Sequence, residues 1–505
     1  MASAAPHRVT GGPLTVKGRL PHVALAILIA LAAALPFRRV HGRWSAETAG
    51  ATEGASTEPP NVVVIVMDTA RGDRLSCYGY ARETSPRLEE IARSATTYAN
   101  AHSTSSWTAP GHASLFTGLF PAAHGATQED WHLDEGLTTL AEALSAHGYR
   151  TVGIVENPML SRDLGYAQGF AEYHEVWLPR TRPGPRSLAL DRFVETVGGE
   201  APGRPFFIFV NLIEPHSPYD SSRQFRDRFV TDESITLDAN EWRDYYVGRR
   251  TFTGAELTHL NELYDAELLF TDYVVGKMAD ALDDAGLLDR TVFIVTSDHG
   301  ENIGDHGHMD HVFSLYETTT RIPLLVRYPT RFAPGSTAES PVQLTDVFPT
   351  VLDLAGIDPA AYPSQGRTLL GELPRDREVF CEYYYPRQAI NGYRSLTDRR
   401  SPRLEPYRRR IKSLTSGGMK LIRGSDGRDE LYDLRRDPGE LTNIVDSPEQ
   451  AATVRALEAR ISELVKRWSA GRAAGEHEAG ETQGTPDAKL DEATKEALRS
   501  LGYLE

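Results

Sequence analysis

The sequence predicts an α/β fold: a doubly wound, mostly parallel sheet with helices on both faces, followed by a smaller C-terminal α+β subdomain. Three observations carry this expectation. Continuous apolar, β-branched runs recur at Asn61–Met67, Thr151–Val155, Phe206–Ile213, Thr291–Thr296 and Pro323–Arg327, as strands buried on both faces of a parallel sheet do. Helical stretches lie between them, such as Leu137–His147 ending at Gly148 and Leu263–Ala285 ending at Gly286, and this alternation builds doubly wound sheets. Finally, 505 residues with 40% hydrophobic and 25% charged side chains can fill a large core and are too apolar for wholesale disorder.

The first 60 residues read differently. Six basic residues (Arg8, Lys17, Arg19, Arg38, Arg39, Arg43) and no acidic one precede Glu47, and they flank the unbroken apolar run Val23–Leu35. As a helix that run would span about 20 Å, short of a hydrocarbon core of about 30 Å. It suits a secretory signal, with an uncleaved membrane anchor as the open alternative. Export from the cytoplasm is expected either way, with membrane association through this segment in the second case. An Ala-, Thr-, Gly- and Ser-rich linker, Glu47–Pro60, follows.

Residues 61–375 form the expected catalytic domain and 376–470 the C-terminal subdomain. The latter holds strand-like pieces at Val379–Tyr384, Met419–Ile422 and Glu430–Tyr432, and a helix carrying Val454, Leu457, Ile461, Leu464, Val465 and Trp468. Residues 471–505 read as a flexible linker and a short terminal helix. The net charge of −16 argues against nucleic acid as a partner. Two cysteines, Cys77 and Cys381, exclude a disulfide scaffold, a cysteine zinc cage and an iron–sulfur centre, and leave one bridge open. Arg387–Lys412 carries nine basic and two acidic residues. It is either a solvated loop or a rim that attracts an anionic substrate.

The chemistry is expected beyond the carboxyl ends of the strands, where open α/β sheets bind ligands. The first strand runs into Asp68-Thr69, and Thr291–Thr296 runs into Ser297-Asp298-His299-Gly300-Glu301. Two carboxylates and an imidazole at one sheet edge make a divalent metal site. Between them in sequence lies Thr108-Ala-Pro-Gly-His112, read as an N-capping Thr108 opening a short helix that Gly118 ends. A hydroxyl beside a cation at a helix N-terminus can be ionised near neutral pH and attack phosphorus or sulfur.

These segments resemble the sulfatase branch of the alkaline-phosphatase superfamily. The likeness runs through Asn61–Tyr80, Thr108–Gly118, Glu214–Tyr219, Ser297–His306, Leu315–Glu317 with Arg321–Pro323, Asp346–Gly356, Asp429–Asn443 and Leu501–Tyr503. It implies the α/β fold, a divalent metal and an anionic ester substrate. The departures bear on mechanism. Formylglycine-bearing sulfatases modify the first residue of a Cys/Ser-x-Pro-x-Arg motif, whereas this chain has Thr108 there and His112 in place of Arg. Threonine cannot give the aldehyde, so no formylglycine is expected. The paired acids of the calcium site read Asp68-Thr69 and Asp298-His299, and Glu156-Asn-Pro-Met stands where a sulfate-gripping Gly-Lys-Trp-His would follow Thr151–Val155.

An Asp68, Thr108, Asp298, His299 ligand set resembles instead the single-metal phospho-group transferases and the nucleophile half of nucleotide pyrophosphatase/phosphodiesterases. Nitrogen in place of oxygen favours zinc or manganese over calcium, which stays open. A second metal would draw on Asp305, His306, His308, Asp310 and His311, but one ion is expected. The expected reaction is in-line attack by Thr108 on a phosphate or sulfate ester, phosphate favoured, through a covalent Thr108 ester. His112, His216 and His311 are the candidates to donate to the equatorial or leaving oxygens. The alternatives are a phospho-group transferase acting on a lipid or surface glycan, and a metal-binding homologue without turnover.

Overall fold

The computed structural model describes residues 58–177, 187–199, 203–237, 241–395, 402–469, 490–501 and 503. The apolar run Val23–Leu35 and the linker 471–487 lie outside the described residues. An eight-stranded sheet carries the larger part, in the spatial order Ser336–Ala338, Thr96–Tyr98, Leu324–Arg327, Thr291–Thr296, Asn61–Met67, Phe206–Leu212, Arg150–Val155, Glu172–Glu175. All neighbours are parallel except Leu324–Arg327, which runs against both of its partners. Asn61–Met67 sits centrally and is buried along its length, which is why it carries apolar residues without alternation.

The register fixes the geometry of one edge. Asn61 pairs with Thr291 and Val66 with Thr296, so the same offset brings Asp68 level with Asp298 just past the strand ends. On the other side Val66 pairs with Asn211. Three polar side chains from adjacent strands therefore meet at one carboxyl edge.

Helices cover both faces. Pro86–Ala92 and Leu188–Gly198 pack on the long helix Gly254–Asp284, and Thr108–Thr117 packs with Leu140–Ala146 and Val347–Leu354. Gly254–Asp284 begins nine residues before the expected Leu263. Its first turns are polar, and what starts it is a capping box: Thr253 Oγ1 accepts from the Glu256 N–H at 3.3 Å, and Glu256 Oε2 accepts from the Thr253 N–H at 2.7 Å. Thr139 and Glu142 likewise start Leu140–Ala146. Cys77 and Cys381 are both free thiols, so the bridge left open by the sequence does not form.

A four-stranded antiparallel sheet, Val379–Tyr383, Ile411–Ser416, Met419–Gly424 and Glu430–Asp433, forms the C-terminal part. Ile411–Ser416 was not expected as a strand, because its polar side chains hide the alternation. The helix Ala451–Ser469 buries Leu457, Ile461 and Leu464 against Phe380, Leu414, Leu421 and Leu431. Trp468 stacks on Phe120 of the larger part, ring centroids 4.1 Å apart.

The two parts are also joined electrostatically. Lys420 Nζ lies 2.8 Å from Glu317 Oε1 and 2.8 Å from Glu440 Oε1, at a side-chain exposure of 2%. Glu440 Oε2 accepts from the Glu317 N–H, and Glu317 Oε2 pairs with His102 Nε2 at 3.1 Å. Removing one member of such a buried network strands the others, at about 3–5 kcal/mol. Lys420→Met is accordingly expected to destabilise the protein by about that much, read as a lower urea midpoint at unchanged slope; a midpoint within experimental error of the parent would show that the network contributes nothing.

Candidate active site

Asp68 and Asp298 are both essentially inaccessible to solvent. Asp68 Oδ2 accepts from Asn157 Nδ2 at 2.7 Å and from Asn211 Nδ2 at 3.3 Å, while its Oδ1 has no hydrogen-bond partner. Asp298 Oδ1 accepts from the Thr69 and His299 N–H groups at 3.2 and 2.9 Å; its Oδ2 makes no hydrogen bond but has His112 Nδ1 at 3.4 Å. Thr69 donates from a left-handed backbone, φ 59°, which a β-branched residue adopts only where its surroundings impose it. Burial, and then the neighbouring Asp298 charge, push the Asp68 carboxyl well above its ordinary range; burial also raises that of Asp298.

His299 Nδ1 lies 3.0 Å from the Gly300 carbonyl, which can only accept, so Nδ1 carries the proton and Nε2 presents its lone pair. That nitrogen is 3.3 Å from Asp298 Oδ2 and 3.4 Å from Thr108 Oγ1. Burial and the neighbouring His311 hold the His299 ring well below its usual pKa, hence neutral, as a metal ligand must be. Ligand atoms of Asp68, Asp298 and His299 all lie within 4.8 Å of one another. The carboxylate oxygens and Thr69 Oγ1 left without partners at this point fit a divalent cation. Each would otherwise cost about 1–3 kcal/mol as an orphaned buried polar atom.

Thr108 is the first residue of the helix Thr108–Thr117, not its cap as expected. Trp107, extended at φ −152° and ψ 144°, holds the cap position. The Thr108 hydroxyl is turned away from its own helix, towards His299 and towards the Tyr503 hydroxyl at 3.3 Å. The helix approaches the strand end closely: a Cβ on Gly111 would meet the Asp298 carbonyl at 2.8 Å, so the second turn position must be glycine.

His112 is not brought to the hydroxyl side of Thr108. Its Nδ1 bonds the Thr108 carbonyl at 2.9 Å and its Nε2 faces Asn211 Nδ2 at 3.4 Å, between the edges of Phe116 and Phe209. Its Nδ1 also lies 3.4 Å from Asp298 Oδ2, so the ring links the helix start to the strand-end acids. His216 and His311 do converge on the hydroxyl side, with ring centroids 5.0 Å apart and His311 4.5 Å from His299. His311 Nδ1 is ion-paired with Asp310 Oδ1 at 2.6 Å and lies 3.6 Å from Glu301 Oε1. Although burial opposes it, Asp310 and then Glu301 hold His311 well above its ordinary pKa, and the imidazolium in turn brings Asp310 to about 2 against its own burial. Burial pushes Glu301 up to about 7.

Glu301, Asp310 and His311 also bring their ligand atoms within 4.8 Å of one another, with His311 Nδ1 2.6 Å from Asp310 Oδ1. Of the other residues set aside for a second metal, Asp305 pairs with Arg71 at 2.8 Å, His306 stacks on Tyr316 at 3.8 Å, and the His308 ring lies 5.9 Å from those of Tyr316 and Tyr407. Four of the basic residues of the stretch Arg387–Lys412 are ion-paired: Arg408 with Glu405, Arg409 with Asp426 and Glu430, Arg410 with Glu129 and Lys412 with Glu382. Residues 396–401 of that stretch lie outside the described residues.

Three members of the site were missed in sequence. Asn157 and Asn211 interrupt or follow buried apolar strands, the same signal that marked Asp68 and Asp298. Tyr503 lies nearly 400 residues from Thr108, and only the Leu501-Gly-Tyr503 motif pointed to it.

Residues 60–357 match the sulfatase family model, and residues 304–467 match the model of the N-sulphoglucosamine sulphohydrolase C-terminal region. The chain is 28% identical over 450 residues to the arylsulfatase K of Homo sapiens, covering 78% of this chain and 81% of that protein. It is 24% identical over 506 residues to an N-acetylglucosamine-6-O-sulfatase of Bacteroides thetaiotaomicron, covering 82% and 87%. A phosphonate monoester hydrolase of Agrobacterium radiobacter superposes with a TM-score of 0.66 at 20% identity, over 81% of this chain and 96% of that one.

If the strand-end acids hold a cation, adding one to metal-free protein at a hundredfold excess over its Kd stabilises the fold by about 2.7 kcal/mol. Differential scanning calorimetry should show this shift in the parent and lose it in Asp298→Asn. An equal shift in both proteins would place the binding elsewhere.

Proposed function

Because the chain belongs to the sulfatase family, we propose that it is a metal-dependent ester hydrolase with Thr108 as nucleophile, acting on phosphate mono- or diesters in preference to sulfate esters. The observation that carries this reading is the position of the Thr108 hydroxyl, at a helix start and 3.4 Å from His299 Nε2 within the Asp68, Asp298 and His299 group. One nitrogen among carboxylates and a hydroxyl favours zinc or manganese over calcium. When bound, the ion would lower the pKa of the hydroxyl and offset charge building on a non-bridging oxygen.

The remaining chemistry belongs to the chain. Thr108 attacks in line, and Asn157 and Asn211 hold Asp68 in place through its Oδ2. His311, paired with Asp310, gives a proton to the departing oxygen in this reading. The Thr108 ester then needs a second displacement by water, since threonine lacks the hydrated aldehyde that lets formylglycine expel sulfate by elimination. Phosphoryl transfer, whose transition state responds mainly to positioning and charge, tolerates this better. The sulfatases among the relatives favour a second reading, sulfate-ester hydrolysis on the same Thr108. Reading residues 1–60 as an export segment places the reaction outside the cytoplasm, on an anionic ester.

Matched aryl phosphate, bis-aryl phosphate and aryl sulfate substrates test this with zinc- or manganese-loaded protein. Phosphate turnover should exceed sulfate turnover, and Thr108→Ala should lower kcat at least about a thousandfold for each. Sulfate turnover that survives Thr108→Ala would overturn the nucleophile. Transfer to an added alcohol in place of water would indicate the transferase, and no turnover with metal bound would indicate a binding protein. Stoichiometric calcium alone in the native protein would contradict the choice of ion.

A further inference from the structure

The helix Glu492–Ser500 packs against the 3-10 turn Pro158–Leu160, which follows the strand Arg150–Val155. Leu498 is fully buried, Leu490 nearly so, and the Asp491 N–H donates to Asp163 Oδ2 at 3.0 Å. Past this helix Tyr503 enters the active site. Its hydroxyl lies 3.3 Å from Thr108 Oγ1 and 2.8 Å from His216 Nε2, and its ring packs against Trp107 with centroids 5.8 Å apart.

The hydrogen bonds around this hydroxyl have a direction. His216 Nδ1 lies 2.6 Å from the Ser217 carbonyl, which accepts only, so Nδ1 carries a ring proton, and in the neutral imidazole Nε2 is the acceptor. In that state Tyr503 donates to His216 Nε2, and its oxygen can accept from Thr108 Oγ–H. The other imidazoles near Thr108 do not offer this path. His299 Nε2 belongs to the ligand group with Asp68 and Asp298, and His112 is engaged at both nitrogens.

We propose that Tyr503 is a catalytic residue that relays the Thr108 proton to His216. This rests on the reading of Thr108 as nucleophile. As Oγ forms its bond to phosphorus, the Oγ–H bond breaks and that proton passes to the Tyr503 oxygen. The phenolic proton passes at the same time to His216 Nε2. The bond to the leaving oxygen breaks with its electron pair, and that oxygen takes a proton from the His311 imidazolium. Tyr503 ends as it began, His216 has gained one proton and His311 has lost one.

The test is Tyr503→Phe in the full chain, loaded with metal and assayed with aryl phosphate beside Thr108→Ala. The phenylalanine keeps the ring packing and removes only the hydroxyl. Expected are a kcat lowered roughly a hundredfold, a KM within about twofold of the parent, and unchanged metal content and melting temperature. In nitrogen-15 spectra of the metal-free protein the His216 Nε2 resonance should shift on loss of its donor. An unchanged or raised kcat would overturn the relay, the latter showing that the tyrosine obstructs the site. A kcat lost in step with metal content, or an unmoved His216 resonance, would overturn it too. If Thr108→Ala is silent while Tyr503→Phe is fully active, the relay alone fails; if Thr108→Ala is active, the nucleophile reading fails with it.

Discussion

Two buried carboxylates of like charge at the ends of neighbouring parallel strands are the constraint around which this molecule is organised. The register that pairs Val66 with Thr296 leaves Asp68 beside Asp298, and burial removes the water that would screen them. Such a pair is unfavourable unless protons, donors or a cation offset it. Asn157, Asn211 and two backbone N–H groups supply the donors, and each occupies one oxygen of its carboxylate. The oxygens left over point to one place, with His299 and Thr108 around it. The left-handed Thr69 and the obligatory Gly111 are further local accommodations to this meeting of strand ends and helix.

The framework of this arrangement was legible in the sequence because it follows from burial. Strands buried on both faces show as unbroken apolar runs, and a carboxylate immediately after such a run has few structural uses. Asp68, Asp298 and His299 could be found that way, Thr108 through the helix start it marks, and His216 and His311 through the motifs they share with the sulfatases. What was illegible depends on orientation or on contacts distant in sequence. The side-chain directions of His112 and Thr108 are set by the helix's approach to Asp298, which no local pattern encodes. Tyr503 reaches the site through the docking of a polar-looking helix that buries little besides Thr494 and Leu498. The strand Ile411–Ser416 and the start of Gly254–Asp284 were hidden for the related reason that their pairing and capping are polar.

Placing threonine where the family carries formylglycine alters what the rest of the site must do. An aldehyde hydrate has a second hydroxyl through which a sulfate can be expelled, whereas a threonine ester must be displaced. The histidines on the hydroxyl side answer that need. His311 is held charged by Asp310, and His216, through the Tyr503 hydroxyl, is connected to Thr108. In the proposed reaction one imidazole gives a proton and the other receives one, the separation of roles that acid–base catalysis requires.

The central claim, that Thr108 forms the covalent intermediate, is tested most directly by peptide mass spectrometry of metal-loaded protein acid-quenched during turnover of an aryl ester. The account predicts that the peptide containing Thr108 carries the phospho or sulfo group in the quenched sample and loses it once substrate is exhausted. An unmodified Thr108 throughout turnover, or the group on a different side chain, would contradict it.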